Sequence, residues 1–250
     1  MTYLFYDIEC ANCFDGIGKI CSFGYVLCDE NFSVIETDDL LMNPDAPFDW
    51  YLFKKDSKCK LAYSREEYIK NPKFSEHYKK IKSLLEEDNR IVLGFGCQND
   101  VATIATECMR YDLSPIDFNC HDIHTVLEKI YDFKGGLGSF VEKFAIPTEG
   151  MEFHDSRSDA FFTMKVTEHL LNEQKKPLRE ILTPYTPFSS KLLRKQKIKK
   201  LYSNYLERKE GAKSKDKKAA VPLKKINVPS WFDFKRELRE EIEISKKQNR

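Results

Sequence analysis

Long apolar runs are missing from this sequence of 250 residues. The longest covers only a few residues, whereas a helix needs about 20 to span a bilayer. The stretch from Met1 to Asp7 also lacks the basic segment and the apolar core of a secretion signal. We therefore expect a cytoplasmic protein with no membrane partner.

Glycine is scarce, with 10 residues, and no segment repeats. The one glycine-rich stretch, residues 135–138, lacks the lysine and the spacing of a phosphate-binding loop. It predicts instead a turn before a short helix capped by Ser139 and Glu142. A nucleotide-binding loop of that type is therefore excluded.

Cysteine is not scarce, because the chain has eight. Several lie inside apolar patterns, and a chain of this length needs no disulfides for stability, so we expect reduced thiols. Cys10 and Cys13 form a CxxC pair that is open to a zinc or a redox interpretation. Only one such pair is present, however, and a turn and a strand follow it where a thioredoxin-like motif would begin a helix.

Charge is unevenly distributed, although the net charge is only +1. Residues 191–225 contain 14 basic and 3 acidic residues, a net charge of +11. Residues 226–250 add +1, which leaves −11 for residues 1–190. An acidic body would repel a polyanion such as a nucleic acid except at bound metals. We therefore expect the positive charge of residues 191–225 to offset this repulsion by contacting the nucleic-acid backbone.

Apolar runs and helical repeats alternate over the first 175 residues. Strands are predicted over residues 3–7, 20–28, 32–36, 91–95 and 118–123. Helices are predicted after a capping box at residues 64–67, over about 75–87, from 99 or 100, around 126–130 and over about 155–170. This order predicts a mixed, largely parallel α/β sheet in one domain, residues 1–175.

Prolines and basic residues dominate the remainder of the chain. Pro177, Pro184 and Pro187 predict a linker over 176–190. We expect a basic, mainly helical and partly flexible C-terminal extension over 191–250. Its predicted parts are a basic helix over 191–206, a low-complexity stretch over 210–220 and an amphipathic helix over 231–244.

Carboxylates placed at the ends of strands and the starts of helices carry the clearest chemical signal. Asp7 and Glu9 are two residues apart in a strand, so both side chains point to one face. Asp100 follows another apolar strand, and His154 and Asp159 lie where a later helix begins. Neighbouring carboxylates repel unless a proton or a cation lies between them, and Mg²⁺ and Mn²⁺ prefer oxygen ligands. Each motif alone fits a solvated strand end or a helix cap, whereas the three together favour a metal site.

These motifs resemble those of the DEDDh 3′-to-5′ exonucleases, which include polymerase proofreading subunits, oligoribonucleases and RNA-trimming exonucleases. The resemblance covers about residues 1–173. It rests on Tyr6-Asp7-Ile8-Glu9, on Gly96-Cys97-Gln98-Asn99-Asp100 and on the segment from His154 to Asp159, in family order. It implies an RNase H-like mixed sheet flanked by helices.

The resemblance also implies an activity, the hydrolysis of phosphodiester bonds at the 3′ end of single-stranded DNA or RNA with two Mg²⁺ or Mn²⁺ ions. Asp7 would bridge both ions, Glu9 and Asp159 would complete one site, and Asp100 would hold the other. His154 would be the general base. The chemistry agrees, because paired metal ions stabilise the attacking and leaving oxygens, and an imidazole, with an ordinary pKa of about 6.5, can take a proton from water.

The sequence departs from the family pattern at some positions that hold the substrate. Cys10 and Ala11 replace the hydroxyl residues that often follow the first glutamate, Asn99 replaces an aromatic residue, and Ser156 replaces an alanine. None of these changes removes a metal ligand. The predicted nucleic-acid contacts are Cys10, Ala11, Phe14, Trp50, Lys195, Lys197, Lys199 and Lys200. Trp50 lies in an aromatic, lysine-rich loop that could either stack on bases or fold onto the body.

The alternative function is a catalytically inactive nucleic-acid-binding or scaffold protein on the same fold. Degenerate relatives would lose ligands, and all five catalytic positions are filled here, which favours an active enzyme. A protein partner bound through the C-terminal extension stays open.

Overall fold

The computed structural model describes residues 1–57, 59–148, 150–151 and 153–211. Its strands are β1 (Thr2–Asn12), β2 (Lys19–Asp29), β3 (Val34–Leu41), β4 (Arg90–Gly94), β5 (Asn119–Asp122) and β6 (Phe188–Ser189). They form one sheet in the order β3-β2-β1-β4-β5-β6. The sheet is mixed, as predicted, but it is not largely parallel. β1 and β5 are parallel to β4, whereas the three other pairings are antiparallel.

Helices cover both faces of the sheet. They are α1 (Arg65–Ile69), α2 (Phe74–Leu85), α3 (Gln98–Arg110), α4 (Ile123–Tyr131), α5 (Leu137–Lys143), α6 (Ser156–Gln174), α7 (Leu178–Leu182) and α8 (Ser190–Gly211). Apolar side chains of α2, α3 and α8 form one core with the sheet, and those of α4 to α7 form the other. In the described part of the chain no helix is both long and apolar enough to cross a bilayer.

The side chains of β1 alternate between these two cores. Leu4 and Tyr6 belong to the core with α2 and α3, whereas Phe5 belongs to the core with α4 to α7. Asp7 and Glu9 continue the series of Phe5, because successive side chains of a strand point to opposite faces. Both carboxylates are therefore on the side of the sheet that α6 covers.

Helices α1 and α6 begin with the side-chain caps that the sequence predicts, whereas α5 does not. Before α1, the Ser64 hydroxyl oxygen accepts from the Glu67 backbone N–H at 3.3 Å, and the Glu67 carboxylate accepts from the Ser64 N–H at 2.9 Å. At the start of α6, Asp155 accepts from the backbone N–H of Ser158 at 2.9 Å. The prediction for α5 was wrong, because this helix begins at Leu137 with a glycine as N-cap and not at a cap formed by Ser139 and Glu142.

The segment predicted as a linker, residues 176–190, contains α7 and β6. Pro177 is the N-cap of α7, a position at which its missing N–H leaves no helical hydrogen bond unmade. Leu178 and Leu182 of this helix are buried in the core. β6 then pairs with β5, with Phe188 opposite Cys120. This segment therefore packs into the body and is not a linker.

Helix α8 begins the predicted basic extension but also packs on the body. Its residues Leu193 and Ile198 are buried, and the helix lies against α3. Arg194 forms an ion pair with Asp117 at 2.9 Å. Most of the predicted low-complexity stretch and all of the predicted amphipathic helix over 231–244 lie outside the described residues.

Candidate metal and catalytic site

Three predicted side chains meet where the end of β1 faces the start of α6. One potential ligand atom from each of Glu9, His154 and Asp159 lies within 4.8 Å of the other two. His154 Nδ1 is 3.9 Å from Glu9 Oε1, and the His154 backbone N–H donates to Asp159 Oδ2 at 3.1 Å. The backbone of His154 is in the left-handed region, with φ of 65°, which is uncommon for a residue other than glycine.

Asp7 and Asp100 lie beside this group. Loss of solvation raises the pKa of Asp7 well above its ordinary value, and the charges of Asp100, Glu9 and Asp159 raise it further, in that order. Asp100 lies in the first turn of α3, and burial followed by the charge of Asp122 raises its pKa to about 7. Asp7 therefore interacts with the three other predicted carboxylates.

The remaining carboxylates show the same effect. Burial is the largest cause of a rise in the pKa of Glu9 to about 8, and the charges of Asp159 and Asp100 add to it. Burial also raises the pKa of Asp159 to about 7, against the lowering effect of the N–H of His154. Four acids that repel one another in a poorly solvated site are stabilised either by protons or by cations.

One oxygen of this site has no partner in the described part of the chain. Asp159 Oδ1 is buried and accepts no hydrogen bond from the described residues. A buried acceptor without a partner is costly. A hard divalent cation would satisfy this oxygen and neutralise the surrounding acids, so the residues present fit the predicted metal site.

Gly24 lets α6 approach the sheet at the site. It pairs with Asp7 in the register of β1 and β2. A Cβ atom on Gly24 would lie 2.0 Å from the backbone nitrogen of Arg157 and 2.0 Å from the carbonyl carbon of Ser156. The start of α6 therefore rests directly on the backbone of β2. Sequence reasoning missed this residue, although a glycine inside a strand is a known sign of a close backbone approach.

Ser156, which departs from the family pattern, anchors the start of α6. Its hydroxyl donates to Asp39 Oδ1 at 2.9 Å and lies 2.5 Å from the Ser22 hydroxyl, which also donates to Asp39. The network joins α6 to β2 and β3, and burial raises the pKa of Asp39. The departure is thus compensated by two polar partners that the sequence did not identify.

The Asp122 carboxylate, like that of Asp39, accepts hydrogen bonds that fix the start of a helix of the site, in this case α3. Its carboxylate accepts from the Gly96 N–H at 2.7 Å and from the Thr125 hydroxyl at 2.8 Å. Gly96 has φ of 64°, which places it in the left-handed region. This contact holds the turn between β4 and α3, and that turn positions Asp100.

The predicted nucleic-acid contacts near the end of β1 divide into exposed and buried groups. The side chains of Phe14 and Trp50 are 56% and 67% exposed, and Lys54 Nζ lies 3.7 Å from the centre of the Trp50 ring. Cys10 is half-buried. Ala11 is fully buried, and its carbonyl accepts from Asp49, so it cannot offer its side chain to a nucleic acid, contrary to the prediction. The loop also folds part of its aromatic cluster, such as Phe48, onto the body.

The four predicted lysines lie together on α8. Lys195, Lys199 and Lys200 are exposed, whereas burial lowers the pKa of the half-buried Lys197, with a further contribution from the charge of Lys200. Helix α8 passes beside the 3₁₀ turn Phe14–Gly16, where Leu201 would lie 3.9 Å from a Cβ on the glycine. The structure therefore brings the basic helix next to the exposed Phe14.

The chain has an RNase H-like fold of the kind found in 3′ exonucleases, as predicted. This fold consists of the mixed six-stranded sheet with helices on both faces. The nuclease domain of 3′hExo, a DEDDh family member solved with rAMP, superposes with a TM-score of 0.55 at 15% identity over 69% of this chain and 92% of that one. E. coli exonuclease I solved with a dT13 oligonucleotide gives 0.56 at 18% identity, over 70% of this chain and 42% of its own. S. pombe Pop2p with Mg²⁺ and Mn²⁺ bound gives 0.56 at 14% identity, over 68% and 82%.

This chain thus spans less than half of exonuclease I. No model of a protein family matches the sequence, and no curated protein matches it either. At such low identities the likeness shows the fold.

Proposed function

We propose that this protein is a metal-dependent 3′-to-5′ exonuclease of the DEDDh type that hydrolyses phosphodiester bonds at the 3′ end of single-stranded DNA or RNA. The observation that carries the proposal is the convergence of Glu9, His154 and Asp159, with Asp7 and Asp100 beside them, in a fold shared with 3′ exonucleases. A cluster of acids with raised pKa values is unfavourable without bound cations, so the site is better suited to chemistry than to stability.

The donor set favours Mg²⁺ or Mn²⁺, because it consists of carboxylate oxygens. We propose that Glu9 and Asp159 hold one ion, that Asp100 holds a second and that Asp7 contributes to both. Pop2p, which has the same fold, was solved with these two metals. When bound, the ions would activate water and stabilise the charge on the phosphate.

His154 is proposed as the general base. Its imidazole lies beside Glu9 at the site, where it would take a proton from the attacking water. The backbone N–H of His154 donates to Asp159, and this bond holds the histidine close to the carboxylates. The protein's own task is to bind the 3′ end so that the scissile phosphate faces these groups.

The exposed aromatic and basic residues support a single-stranded substrate. Phe14 and Trp50 have ring faces available for stacking, which tolerates any base. The lysines of α8 would contact phosphates beside Phe14 and offset the negative charge of the body. Exonuclease I, with the same fold, was solved with dT13 and dA16 oligonucleotides.

The direct test uses 5′-labelled single-stranded DNA and RNA with Mn²⁺, Mg²⁺ or EDTA. We expect a ladder that shortens from the 3′ end, formed only with metal. Protein that binds these strands but leaves them intact with either metal would instead support the inactive binding protein.

Substitution of one carboxylate links the activity to the site. Asp159→Asn should lower the rate by more than about 100-fold, because a neutral amide is a weak ligand and the charge balance of the site changes. The matched control is Asp56→Asn, at an exposed position outside the site, which should cut like the wild type. Cleavage by Asp159→Asn at the wild-type rate would remove this residue from the mechanism.

A further inference from the structure

A recess of about 470 Å³ lies on the surface where the loop that follows β3 meets the start of α1. Two aromatic rings, Phe53 and Tyr63, line it together with the basic side chains of Lys60 and Arg65. Glu66 also lines it and adds one negative charge. The recess therefore combines aromatic rings with cations, the two kinds of group that bind single-stranded nucleic acid.

This recess adjoins the proposed catalytic site through one side chain. The Tyr63 hydroxyl donates to Asp155 Oδ2 at 3.4 Å, while Asp155 Oδ1 accepts from the backbone N–H of Ser158 at the start of α6. Asp155 directly follows His154, the proposed general base. A nucleotide in the recess would therefore lie close to a phosphate that faces His154.

Arg65 offers hydrogen-bond donors to a ligand in the recess. The central carbon of its guanidinium lies 5.3 Å from the centre of the Phe53 ring and 5.9 Å from that of the Phe48 ring. These ring contacts restrict the exposed side chain, and no carboxylate among the described residues forms an ion pair with it. The planar fork of a guanidinium matches the oxygens of a phosphate, so a phosphate is the ligand that Arg65 fits best.

The ring of Tyr63 is held in place for contact with a base. It packs against the buried ring of Tyr68, with 5.8 Å between the ring centres and 87° between the ring planes. The Tyr63 side chain is only half-buried and lines the recess. Aromatic rings bind bases with little preference among them. A base on Tyr63 and a phosphate on Arg65 together make up one nucleotide.

A second recess of similar size has a different character. It has a volume of about 480 Å³, lies beside α5 and α6, and is mostly apolar. Its lysine, Lys165, forms an ion pair with Glu168 at 2.7 Å. Its histidine, His169, stacks on Phe144 with 4.2 Å between the ring centres. The basic side chains of that recess already have partners, whereas Arg65 has no carboxylate partner in the described part of the chain.

We propose that the recess at Tyr63 and Arg65 binds one nucleotide of a single DNA or RNA strand beside the proposed metal site, with the phosphate on Arg65 and the base on Tyr63. The inference deepens the proposed function and rests on it for the identity of the ligand. Because Tyr63 contacts the residue that follows His154, the bound nucleotide is close to the scissile phosphate, and a dinucleotide is long enough to reach the recess. Loss of Arg65 should therefore weaken the binding of short and long strands alike.

Binding is measured with Ca²⁺ in place of Mg²⁺, because Ca²⁺ takes the same oxygen ligands in a looser geometry and should slow cleavage. The probes are labelled thymidine and uridine dinucleotides and labelled long strands of the same bases, followed by fluorescence anisotropy. Arg65→Ala should weaken the binding of every probe that the wild type binds by about tenfold, the usual cost of losing hydrogen bonds to a charged group. The matched control is Lys70→Ala, at the exposed C-cap of α1 outside the recess, which should bind like the wild type.

The ring and the guanidinium are tested separately. Tyr63→Phe keeps the ring and should keep the affinity, whereas Tyr63→Leu keeps only an apolar side chain and should weaken binding. In the cleavage assay Arg65→Ala should raise KM by the same factor as it weakens binding and leave kcat within about twofold, because Arg65 binds the strand and takes no part in the reaction. The Tm of Arg65→Ala should equal that of the wild type, since the side chain is exposed.

The inference is wrong if Arg65→Ala binds every probe as tightly as Lys70→Ala does, if its binding is weakened only for long strands, or if the wild type binds none of the probes. The proposed function fails separately. If binding depends on Arg65 but the protein cuts nothing with Mg²⁺ or Mn²⁺, the recess stays a nucleotide site and the exonuclease activity alone is refuted.

Discussion

At the scale of the residue, the position of His154 is compatible with two roles, that of a general base and that of a metal ligand. Its Nδ1 atom is 3.9 Å from Glu9 Oε1, and the same group includes Asp159. An imidazole in this position can take a proton from water or bind a metal through nitrogen. Removing the side chain should lower activity in both cases, but it should weaken metal binding only if His154 is a metal ligand.

We predict that His154→Ala slows cleavage by about 100- to 10,000-fold, the usual contribution of a general base, while Mn²⁺ binding stays within about twofold of the wild type. Cleavage of a labelled oligonucleotide gives the first quantity, and calorimetric titration gives the second. His77→Ala, at a histidine of α2 outside the site, is the control and should leave both unchanged. If His154→Ala loses metal binding along with activity, the histidine is a ligand and not the base.

The sequence was informative about residues whose chemistry is local. The spacing of Asp7 and Glu9 determines that both share a face of β1, and the start of a helix indicated Asp159. Asp39 and Asp122 were missed, because their importance depends on partners distant in the chain. Asp39 contacts Ser156 across 117 positions, and no local pattern records that contact.

At the scale of the element, the site depends on how α6 meets the sheet. The helix begins at Ser156, and its first turn carries Asp159. Gly24 allows the backbones of α6 and β2 to touch, and the hydroxyls of Ser22 and Ser156 fasten this contact through Asp39. Sequence periodicity located the helix correctly but could not predict its distance from β2.

We predict that Gly24→Ala lowers the free energy of unfolding by about 3 kcal/mol or more and removes activity, because the added methyl would overlap the backbone of Ser156 and Arg157. Denaturant unfolding and the cleavage assay measure the two effects. Gly136→Ala is the matched control, since a Cβ there meets nothing within 4 Å, and it should be nearly neutral. A Gly24→Ala protein as stable as the wild type would mean that α6 does not rest on β2.

The elements after α6 show where sequence rules misled. The prolines after α6 were interpreted as the end of the body and the start of a linker. Pro177 does mark the end of α6, but the helix that follows it is α7, which belongs to the body. A proline before a helix and a short strand at a sheet edge both look like a linker when only local pattern is considered. Burial of Leu178 and Leu182 is a tertiary fact that the pattern did not reveal.

At the scale of the whole molecule, the acid cluster should couple stability to pH and metal. The pKa of Glu9 is about 8 and those of Asp100 and Asp159 are about 7, so the folded protein binds more protons than the unfolded chain from about pH 4 to 8. The stability contributed by these groups is fully present below about pH 4 and is lost progressively as the pH rises from about 4 to 8.

We predict that the Tm of the metal-free protein falls between about pH 5 and pH 8, and that Mn²⁺ raises the Tm more at pH 8 than at pH 5, because cations replace the missing protons. Thermal melting with and without EDTA measures both effects. Asp159→Asn removes one of the charges and should show a smaller fall than the wild type. Equal falls in the two proteins would show that the acid cluster is not the source of the pH dependence.

The positive charge of the C-terminal part, residues 190–250, is shared equally between α8 and the residues that follow it. Helix α8 carries eight basic and two acidic residues, and residues 212–250 carry 12 basic and 6 acidic, so each has a net charge of +6. Among the described residues of this part, Leu193 and Ile198 of α8 are buried in the body. Charge and packing can therefore be separated by the choice of truncation point.

We predict that a chain ending at residue 211 keeps its Tm and its activity on dinucleotides but binds long oligonucleotides with a shallower dependence on salt, because fewer counterions are released. A chain ending at residue 189 should instead melt at a lower temperature, since it loses Leu193 and Ile198 and uncovers α3. Melting curves and affinities over a salt series test both. If the chain ending at 211 has the salt slope of the full protein, residues 212–250 do not bind nucleic acid, and a protein partner for that segment becomes the better explanation.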